Sequence, residues 1–201
     1  MESNFSREDL AQLSDVAYQE SNATKRHFAR NIHKNLKYDS ALSNKYVSVV
    51  RNSGNNDVFI NFRGTKLDDF NDLSADLAIL TGRENVHKRW SDANNHFEKV
   101  RDKLGDKNYI ITGHSLGGNI GSSIARKNDL EAHIFNAGSS IGNVRKGLKQ
   151  KPVENKRKNK ITHYTTGDII SIGSVLNTGF ADKHIFVEKK GSNAHSLENF
   201  I

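Results

Sequence analysis

The segment that most constrains the fold is a strand-like run that stops at a serine between two glycines. Residues 109–118 read Tyr-Ile-Ile-Thr-Gly-His-Ser-Leu-Gly-Gly, and a helix-compatible segment follows from Leu116 to Lys127. Ser115 is the centre of a G-x-S-x-G pattern, with Gly113 and Gly117 two residues to either side. Small residues are needed where a strand reverses sharply into a helix, because little space is left there for side chains. The pattern predicts a nucleophile elbow, a turn that presents a serine hydroxyl clear of the backbone.

Composition limits both the size of the fold and its chemistry. The chain has 201 residues, enough for one substantial core, so we predict a single domain over residues 1–201. It has no cysteine, which excludes disulfides, thiolate metal sites and cysteine nucleophiles. No apolar run approaches the roughly 20 residues that cross a bilayer, and no signal-peptide pattern is visible, so we expect cytoplasmic synthesis by default. The net charge of +7 favours anionic partners.

Hydrophobic patterning predicts an α/β fold. The predicted helices are one that follows Ser6, one that holds Phe28, Ile32 and Leu36, and one from Ser91 to Leu104. The predicted strands are 46–50, 58–62, 109–112, 131–136, 161–165 and 184–187, of which the first two form a hairpin. Strands and helices alternate through the middle of the chain. This order favours a mostly parallel central sheet flanked by helices, with reactive groups on loops at the carboxyl ends of the strands.

A serine nucleophile needs a base, and the base needs a group that orients it. In folds with a nucleophile elbow these partners follow in the order serine, acid, histidine. Asp168 comes immediately after a predicted strand, where a loop carboxylate would face the elbow. His195 ends the flexible sequence Gly-Ser-Asn-Ala-His after the last predicted strand. We therefore predict Ser115 as nucleophile, Asp168 as acid and His195 as base.

Other histidines are weaker candidates for the base. His184 begins a predicted strand and remains an alternative, but pairing it with Asp182 would place both groups on one side of a strand without access to Ser115. His114 lies inside the elbow, and we expect it to point away from the serine and to pack or form hydrogen bonds. The remaining histidines show no metal-ligand spacing. Serine chemistry needs no cofactor, so we predict neither a cofactor nor a metal.

The oxyanion of the reaction requires two donors. One is expected to be the backbone N–H of Leu116, which follows the nucleophile at the start of its helix. The second must come from another loop, and Thr65 ends a strand in the sequence Phe-Arg-Gly-Thr, where it offers both its N–H and its hydroxyl.

Together these residues resemble a known family. Residues 62–65 paired with residues 112–118 resemble the lipase class 3 group of α/β-hydrolases, and residues 86–90 and 195–200 are similar to two further blocks of that group. The resemblance covers about residues 40–201. It implies the α/β-hydrolase fold and hydrolysis of triacylglycerols, phospholipids or related esters. Carried over by position, it implies the same roles for Ser115, Asp168, His195 and Thr65.

The same resemblance implies that the segment after Thr65 serves as a lid. Residues 66–82 contain apolar side chains that could cover an apolar groove, and we predict substrate contacts from Leu67, Phe70, Leu73 and Leu77. An amphipathic surface helix packed on the core would give the same pattern. The chain departs from the family at Arg89, where glycine is usual, at Phe70, where tryptophan is usual, and at Ile169-Ile170, where a proline is missing. These departures concern packing and substrate access rather than the triad.

A basic run is the remaining unusual feature. Arg145 to Lys160 contains eight Lys or Arg and one Glu. Such runs are commonly solvated loops, but this one could also attract an anionic membrane surface. It lacks interleaved aromatic residues, so we predict no specific nucleic-acid partner. The hypothesis from sequence is a serine esterase acting on lipid esters, and the alternative is a non-catalytic lipid- or nucleic-acid-binding protein on the same fold.

Overall fold

The helices and strands alternate through the middle of the chain, as predicted. A computed structural model describes residues 5–64, 83–138, 160–167, 183–190 and 193–201, with residues 83–87 described for their backbone alone. The helices are α1 (Arg7–Asp15), α2 (Asn22–Ile32), α3 (Arg83–Leu104) and α4 (Ser115–Asn128), with 3₁₀ turns at Val16–Tyr18 and Leu197–Asn199. The strands are β1 (Leu36–Tyr38), β2 (Val47–Asn52), β3 (Asp57–Phe62), β4 (Asn108–His114), β5 (Glu131–Phe135), β6 (Lys160–Thr165) and β7 (Lys183–Val187). None of the helices in these ranges is both long and apolar enough to traverse a lipid bilayer.

The seven strands form one sheet in the order of the chain. β1, β2 and β3 pair antiparallel, whereas β3 to β7 pair parallel. The predicted hairpin is confirmed as β2 and β3, and the predicted α/β class with a mostly parallel sheet flanked by helices is confirmed. Parallel neighbours require crossover connections, which explains why helices alternate with strands from β3 to β5.

Both faces of the sheet are covered. On one face, α3 and α4 pack against the sheet. The buried side chains of this cluster include Val58, Ile60, Phe62, Phe97, Ile111, Ile120, Ile124 and Ile134. On the other face, α1, α2 and the C-terminal turn pack against the sheet. The buried side chains of this cluster include Leu10, Leu13, Val50, Phe59, Ile110, Phe135 and Phe200. The strands alternate between the two clusters, as the two-residue period of a strand requires. Burial on both faces explains the continuous apolar run that precedes the elbow.

Two predicted helix boundaries are wrong. The helix predicted to hold Leu36 ends at Ile32, and Leu36 instead begins β1, where it pairs with Asn52. His33 is already extended, with φ −155° and ψ 135°, so the helical spacing of Leu36 is accidental and pairing with β2 decides its conformation. The helix predicted to begin at Ser91 begins at Arg83.

The parallel register brings three strand ends to one edge. Phe62 pairs with Gly113, and His114 pairs with Phe135, so β3, β4 and β5 end side by side. Beneath this edge, the buried Thr112 hydroxyl donates to the Asn61 side-chain oxygen at 2.8 Å, which satisfies two polar groups within the sheet. Segments that follow these strands therefore meet at the elbow.

Candidate active site

Ser115 occupies the predicted elbow. It follows β4 directly, begins α4, and has φ +56°, a left-handed conformation that non-glycine residues adopt rarely. Gly117 permits this turn, because a Cβ there would lie 2.2 Å from the Phe62 carbonyl oxygen and 2.5 Å from the Arg63 carbonyl carbon. A Cβ on Gly113 would likewise lie 2.8 Å from the Gly117 carbonyl oxygen. Both glycines are thus required by backbone approach, as the sequence pattern predicted.

Two other segments hold the elbow in place. The Gly138 N–H donates to the Ser115 carbonyl oxygen at 3.0 Å, and the Asn119 side-chain amide donates to the Gly138 carbonyl at 2.9 Å. The end of β3 also approaches, since a Cβ built on Gly64 would lie 3.1 Å from the Ser115 Cβ. Leu116 lies in the first turn of α4, where backbone N–H groups have no partner within the helix and the helix dipole favours negative charge.

The loop that carries His195 lies against the elbow. His114 Nε2 donates to the His195 carbonyl oxygen at 2.6 Å, and the two imidazole rings are 4.9 Å apart between centroids. The His195 N–H donates to the Asn193 side-chain oxygen at 2.9 Å, which folds the loop into a tight turn. His195 and Ser115 are both buried, with 2% and 3% of their surfaces exposed. The nucleophile and base predicted from sequence thus belong to adjoining segments at one edge of the sheet.

Two buried asparagines, which the sequence reasoning missed, hold this loop. Asn136, with φ +41°, directly follows β5, and its side-chain amide donates to the Ala194 carbonyl at 3.0 Å and to the Thr165 hydroxyl at 3.1 Å. Its side-chain oxygen accepts from the Thr165 N–H at 2.8 Å. Asn136 therefore links the ends of β5 and β6 to the His195 loop. The strand predicted over 131–136 included Asn136, whereas β5 ends at Phe135. The tolerance of asparagine for a positive φ was the available signal.

Asn199 supports the loop from the other side. Its side-chain amide donates to the carbonyls of Asn193, Ala194 and Ser196 at 2.9, 3.3 and 3.0 Å, and its side-chain oxygen accepts from the Lys190 N–H at 2.8 Å. Nothing in the sequence marks this role, because the carbonyls it binds are brought together only by the turn itself.

His114 forms hydrogen bonds, as predicted, through both ring nitrogens. The strand alternation places its ring on the face of Ile110, toward the 3₁₀ turn that ends at Tyr18. His114 Nδ1 is 3.1 Å from the Tyr18 hydroxyl, which in turn accepts from the Gly64 N–H at 2.9 Å. Burial, with a smaller effect of His195, lowers the pKa of His114 to about 3, so its ring is neutral at physiological pH. Burial raises the pKa of Tyr18 well above its usual value, so the phenol stays protonated.

Positive charge lies beside the same strand end. Arg89 Nη2 donates to the Arg63 carbonyl at 2.9 Å, and its guanidinium carbon lies 4.6 Å from the centroid of the Tyr46 ring. Burial and, more weakly, the charge of Arg63 lower the pKa of Arg89 from its usual value. The guanidinium carbon of Arg63 lies 5.8 Å from the Tyr18 ring centroid. Arg89 thus places a cation next to Arg63, two residues before Thr65.

Several predicted site residues lie outside the described residues. They are Asp168, Thr65, the predicted lid residues Leu67, Phe70, Leu73 and Leu77, and the basic residues 145–159. The alternative base His184 lies near the amino end of β7, where it pairs with Thr162 and stacks on Tyr164 at 5.6 Å. That position is away from the edge where the elbow lies.

Lys160 requires a correction. It was predicted to be the last member of a solvated basic run, but it begins β6 and is 4% exposed, with its Nζ 3.6 Å from an Asp129 carboxylate oxygen. Pairing with β5 draws its backbone into the sheet, so its ammonium cannot meet a membrane surface. Within the described ranges, no three His, Asp or Glu side chains are grouped as ligands for a metal ion.

Solved structures provide the comparison with known proteins. A lipase from Rhizopus microsporus var. chinensis matches with a TM-score of 0.61 at 16% identity over 94% of this chain and 75% of that one. Lip2 lipase from Yarrowia lipolytica matches with a TM-score of 0.52 at 17% identity over 90% and 77%. Lipase II from Rhizopus niveus matches with a TM-score of 0.56 at 14% identity over 94% and 81%. The chain has the α/β-hydrolase fold of these fungal lipases.

This likeness confirms the resemblance drawn from the sequence at the level of the fold. No protein-family model matches the chain, and no curated protein sequence shows significant similarity to it. Sequence identities of 14–17% in these matches support a shared architecture and leave the activity to be argued from the site itself.

Proposed function

We propose that this protein is a serine hydrolase that cleaves carboxylic esters of lipids. The observation that carries the proposal is the left-handed Ser115 at a strand-to-helix turn, with the His195 loop held against that turn by the 2.6 Å hydrogen bond from His114. A strained serine conformation is costly and persists where the surrounding structure enforces it, which is typical of functional sites. The fold shared with fungal lipases supports the same reaction class.

The proposed mechanism uses an acyl-enzyme intermediate. His195 takes the proton of the Ser115 hydroxyl as its oxygen attacks the ester carbonyl carbon, and Asp168 orients the imidazole and stabilises its positive charge. The N–H groups of Leu116 and Thr65 stabilise the negative oxygen of the tetrahedral intermediate. The carbon–oxygen bond then breaks, and the alcohol leaves with the proton from His195. Water attacks the acyl-serine with His195 again as base, which releases the fatty acid and restores Ser115.

Labelling with a fluorophosphonate and hydrolysis of p-nitrophenyl esters of increasing chain length test the reaction. We expect Ser115→Ala to abolish labelling and to lower kcat at least about 1,000-fold, since removing a triad nucleophile typically costs far more. Ser123→Ala, in the same helix and partly exposed, is the matched control and should retain both activities. The non-catalytic alternative replaces this proposal if the wild type is inert in both assays and Ser115→Ala binds lipid or DNA as tightly as the wild type.

We further propose that the lipid substrate is anionic. Arg63 and Arg89 supply positive charge beside the end of β3, and residues 145–159 add seven Lys or Arg against one Glu. Each basic residue near an anionic bilayer contributes up to about 1 kcal/mol of attraction. Attraction of this kind would raise the concentration of enzyme at an anionic lipid surface and favour anionic phospholipid over lipids without net charge.

Vesicle assays test this preference. Hydrolysis of phosphatidylserine should exceed that of phosphatidylcholine at low salt, and the difference should narrow as salt screens the charges. Replacing Lys156, Arg157 and Lys158 with glutamine should reduce the preference. The same change at Lys99 and Lys103, which are exposed on α3, and at the partly exposed Lys107 shortly after it should not. Equal rates on both lipids at every salt concentration would refute the anionic preference and leave the serine chemistry untouched.

A further inference from the structure

Three hydrogen bonds form one continuous relay across the site. The relay, defined as Gly64, Tyr18, His114 and His195, runs from the Gly64 N–H to the Tyr18 hydroxyl at 2.9 Å, from that hydroxyl to His114 Nδ1 at 3.1 Å, and from His114 Nε2 to the His195 carbonyl at 2.6 Å. Its ends are 131 residues apart in the numbering of the chain. Only the fold brings them together.

The direction of each bond follows from its chemistry. A carbonyl oxygen only accepts, so His114 Nε2 must carry the proton of the neutral ring. His114 Nδ1 is then an acceptor, and the Tyr18 hydroxyl must donate to it. The phenol oxygen in turn accepts from the Gly64 N–H. Every donor in the relay is thus matched to an acceptor, with a single tautomer of His114.

The two ends of the relay adjoin two different groups of the proposed machinery, the oxyanion donor and the base. Gly64 directly precedes Thr65, the proposed second oxyanion donor, and it packs so closely that a Cβ there would lie 2.8 Å from both the Tyr18 hydroxyl and the His114 carbonyl oxygen. His195 is the proposed base. The nucleophile Ser115 follows His114 in the chain. A displacement of the Tyr18 hydroxyl or of the His114 ring would therefore shift donor and base relative to the serine.

We propose that Tyr18 and His114 are positioning residues that fix the start of the oxyanion loop and the backbone of His195 in one mutual arrangement. This inference rests on the proposed ester hydrolysis. Neither side chain takes part in bond making or proton transfer. Misplacement of groups near a reacting carbonyl mainly lowers kcat, because those groups contribute more to the transition state than to substrate binding.

The substitutions Tyr18→Phe and Tyr109→Phe form the central comparison. Tyr109 is also buried and donates one hydrogen bond, to the Gly105 carbonyl at 2.7 Å, but it lies at the opposite end of β4 from the elbow. We expect Tyr18→Phe to lower kcat about tenfold with KM changed less than about twofold. Tyr109→Phe should lose similar thermal stability and keep its kcat. If both variants lower kcat equally, the positioning role of Tyr18 is refuted.

Substitutions at His114 test the middle of the relay. The side-chain amide of His114→Gln reaches as far as Nε2 and can still donate to the His195 carbonyl, whereas His114→Phe removes both bonds. We expect about a tenfold loss of kcat for the glutamine and about a hundredfold loss for the phenylalanine variant. Adding Tyr18→Phe to His114→Gln should cost less than the two single losses combined, since the bond between the two side chains is already broken and only the bond from the Gly64 N–H remains to be lost. Fully additive losses would contradict the relay.

A measurement without substrate separates this proposal from the proposed function. The Gly64 amide should exchange its hydrogen with solvent at least about tenfold faster in Tyr18→Phe than in the wild type, and at an unchanged rate in Tyr109→Phe. Unchanged exchange at Gly64 in Tyr18→Phe would overturn the relay even if the protein proves to be an esterase. A wild type that hydrolyses no ester would overturn the proposed function, and with it the catalytic consequence of the relay.

Discussion

His163 should make the protein sensitive to mild acid. It lies on β6, is 3% exposed and stacks on Phe135, with ring centroids 4.8 Å apart and planes inclined by 12°. Both of its ring nitrogens lack a hydrogen-bond partner in the described part of the chain. Burial is the main cause that lowers the pKa of His163 to about 3, and the charges of His133, Arg7 and Lys183 act in the same direction. Its ring is therefore held neutral in the folded protein.

The sign of the effect follows from proton linkage. In the unfolded chain His163 has an ordinary pKa of 6.5. Between pH 6.5 and about 3, His163 therefore binds a proton in the unfolded state and stays unprotonated in the folded state. The contribution to stability is complete above pH 6.5 and is lost as the pH falls. With a folded pKa of about 3, the free energy of unfolding is lower at pH 5 by about 2 kcal/mol than above pH 6.5. Its steepest change with pH from this one group is about 1.4 kcal/mol per pH unit. His114, with a pKa also lowered to about 3, should lose a similar amount.

The substitution His163→Phe isolates this contribution. We expect the free energy of unfolding in urea to fall between pH 7.5 and pH 5 by about 2 kcal/mol less in His163→Phe than in the wild type. Phe200→Leu is the control, because it alters the aromatic packing around His163 without removing a titrating group, so its curve should run parallel to the wild-type curve. If the His163→Phe curve also runs parallel to the wild type, the argument from a buried neutral histidine is wrong.

Three further substitutions test the geometry of the site. Gly117→Ala should destabilise the fold by more than about 3 kcal/mol in urea unfolding, because its Cβ would collide with the Phe62 carbonyl, whereas Gly105→Ala meets nothing within 4 Å and should cost about 1 kcal/mol; equal losses would contradict the close approach. Asn136→Ala should leave buried carbonyl and hydroxyl groups without a donor, lower the stability by about 1–3 kcal/mol and reduce kcat for an ester. Asn199→Ala should behave in the same way, and full activity in both asparagine variants would show that the loop they bind keeps its shape without them.

Local patterns were sufficient for much of the fold. The glycine spacing around Ser115 predicted the elbow, and the structure explains the spacing by backbone contact at Gly117. A helix was predicted to follow Ser6, and Ser6 forms a reciprocal capping box with Asp9 at the start of α1. These predictions depend on neighbours within a few residues, so the chain carries their physical cause locally.

Predictions that depended on distant partners were less successful. Leu36 has helical spacing but pairs with β2, and Lys160 belongs by composition to a basic run but is drawn into the sheet beside β5. In both cases hydrogen bonding to a neighbouring strand outweighs the local pattern. The propensity difference between conformations is only a few tenths of a kcal/mol per residue, which a strand pairing easily exceeds.

The amino-acid sequence alone determined the α/β class, the elbow and the identity of Ser115 and His195 as candidates, because glycine requirements and hydrophobic periodicity act within a few residues. Tertiary structure alone decided that Tyr18, His114, Asn136 and Asn199 hold the loops of the site. Each of these side chains binds backbone groups that lie far away along the chain or meet only in a folded turn. Backbone carbonyls and N–H groups are the same at every residue, so no sequence pattern marks which of them a buried side chain will bind.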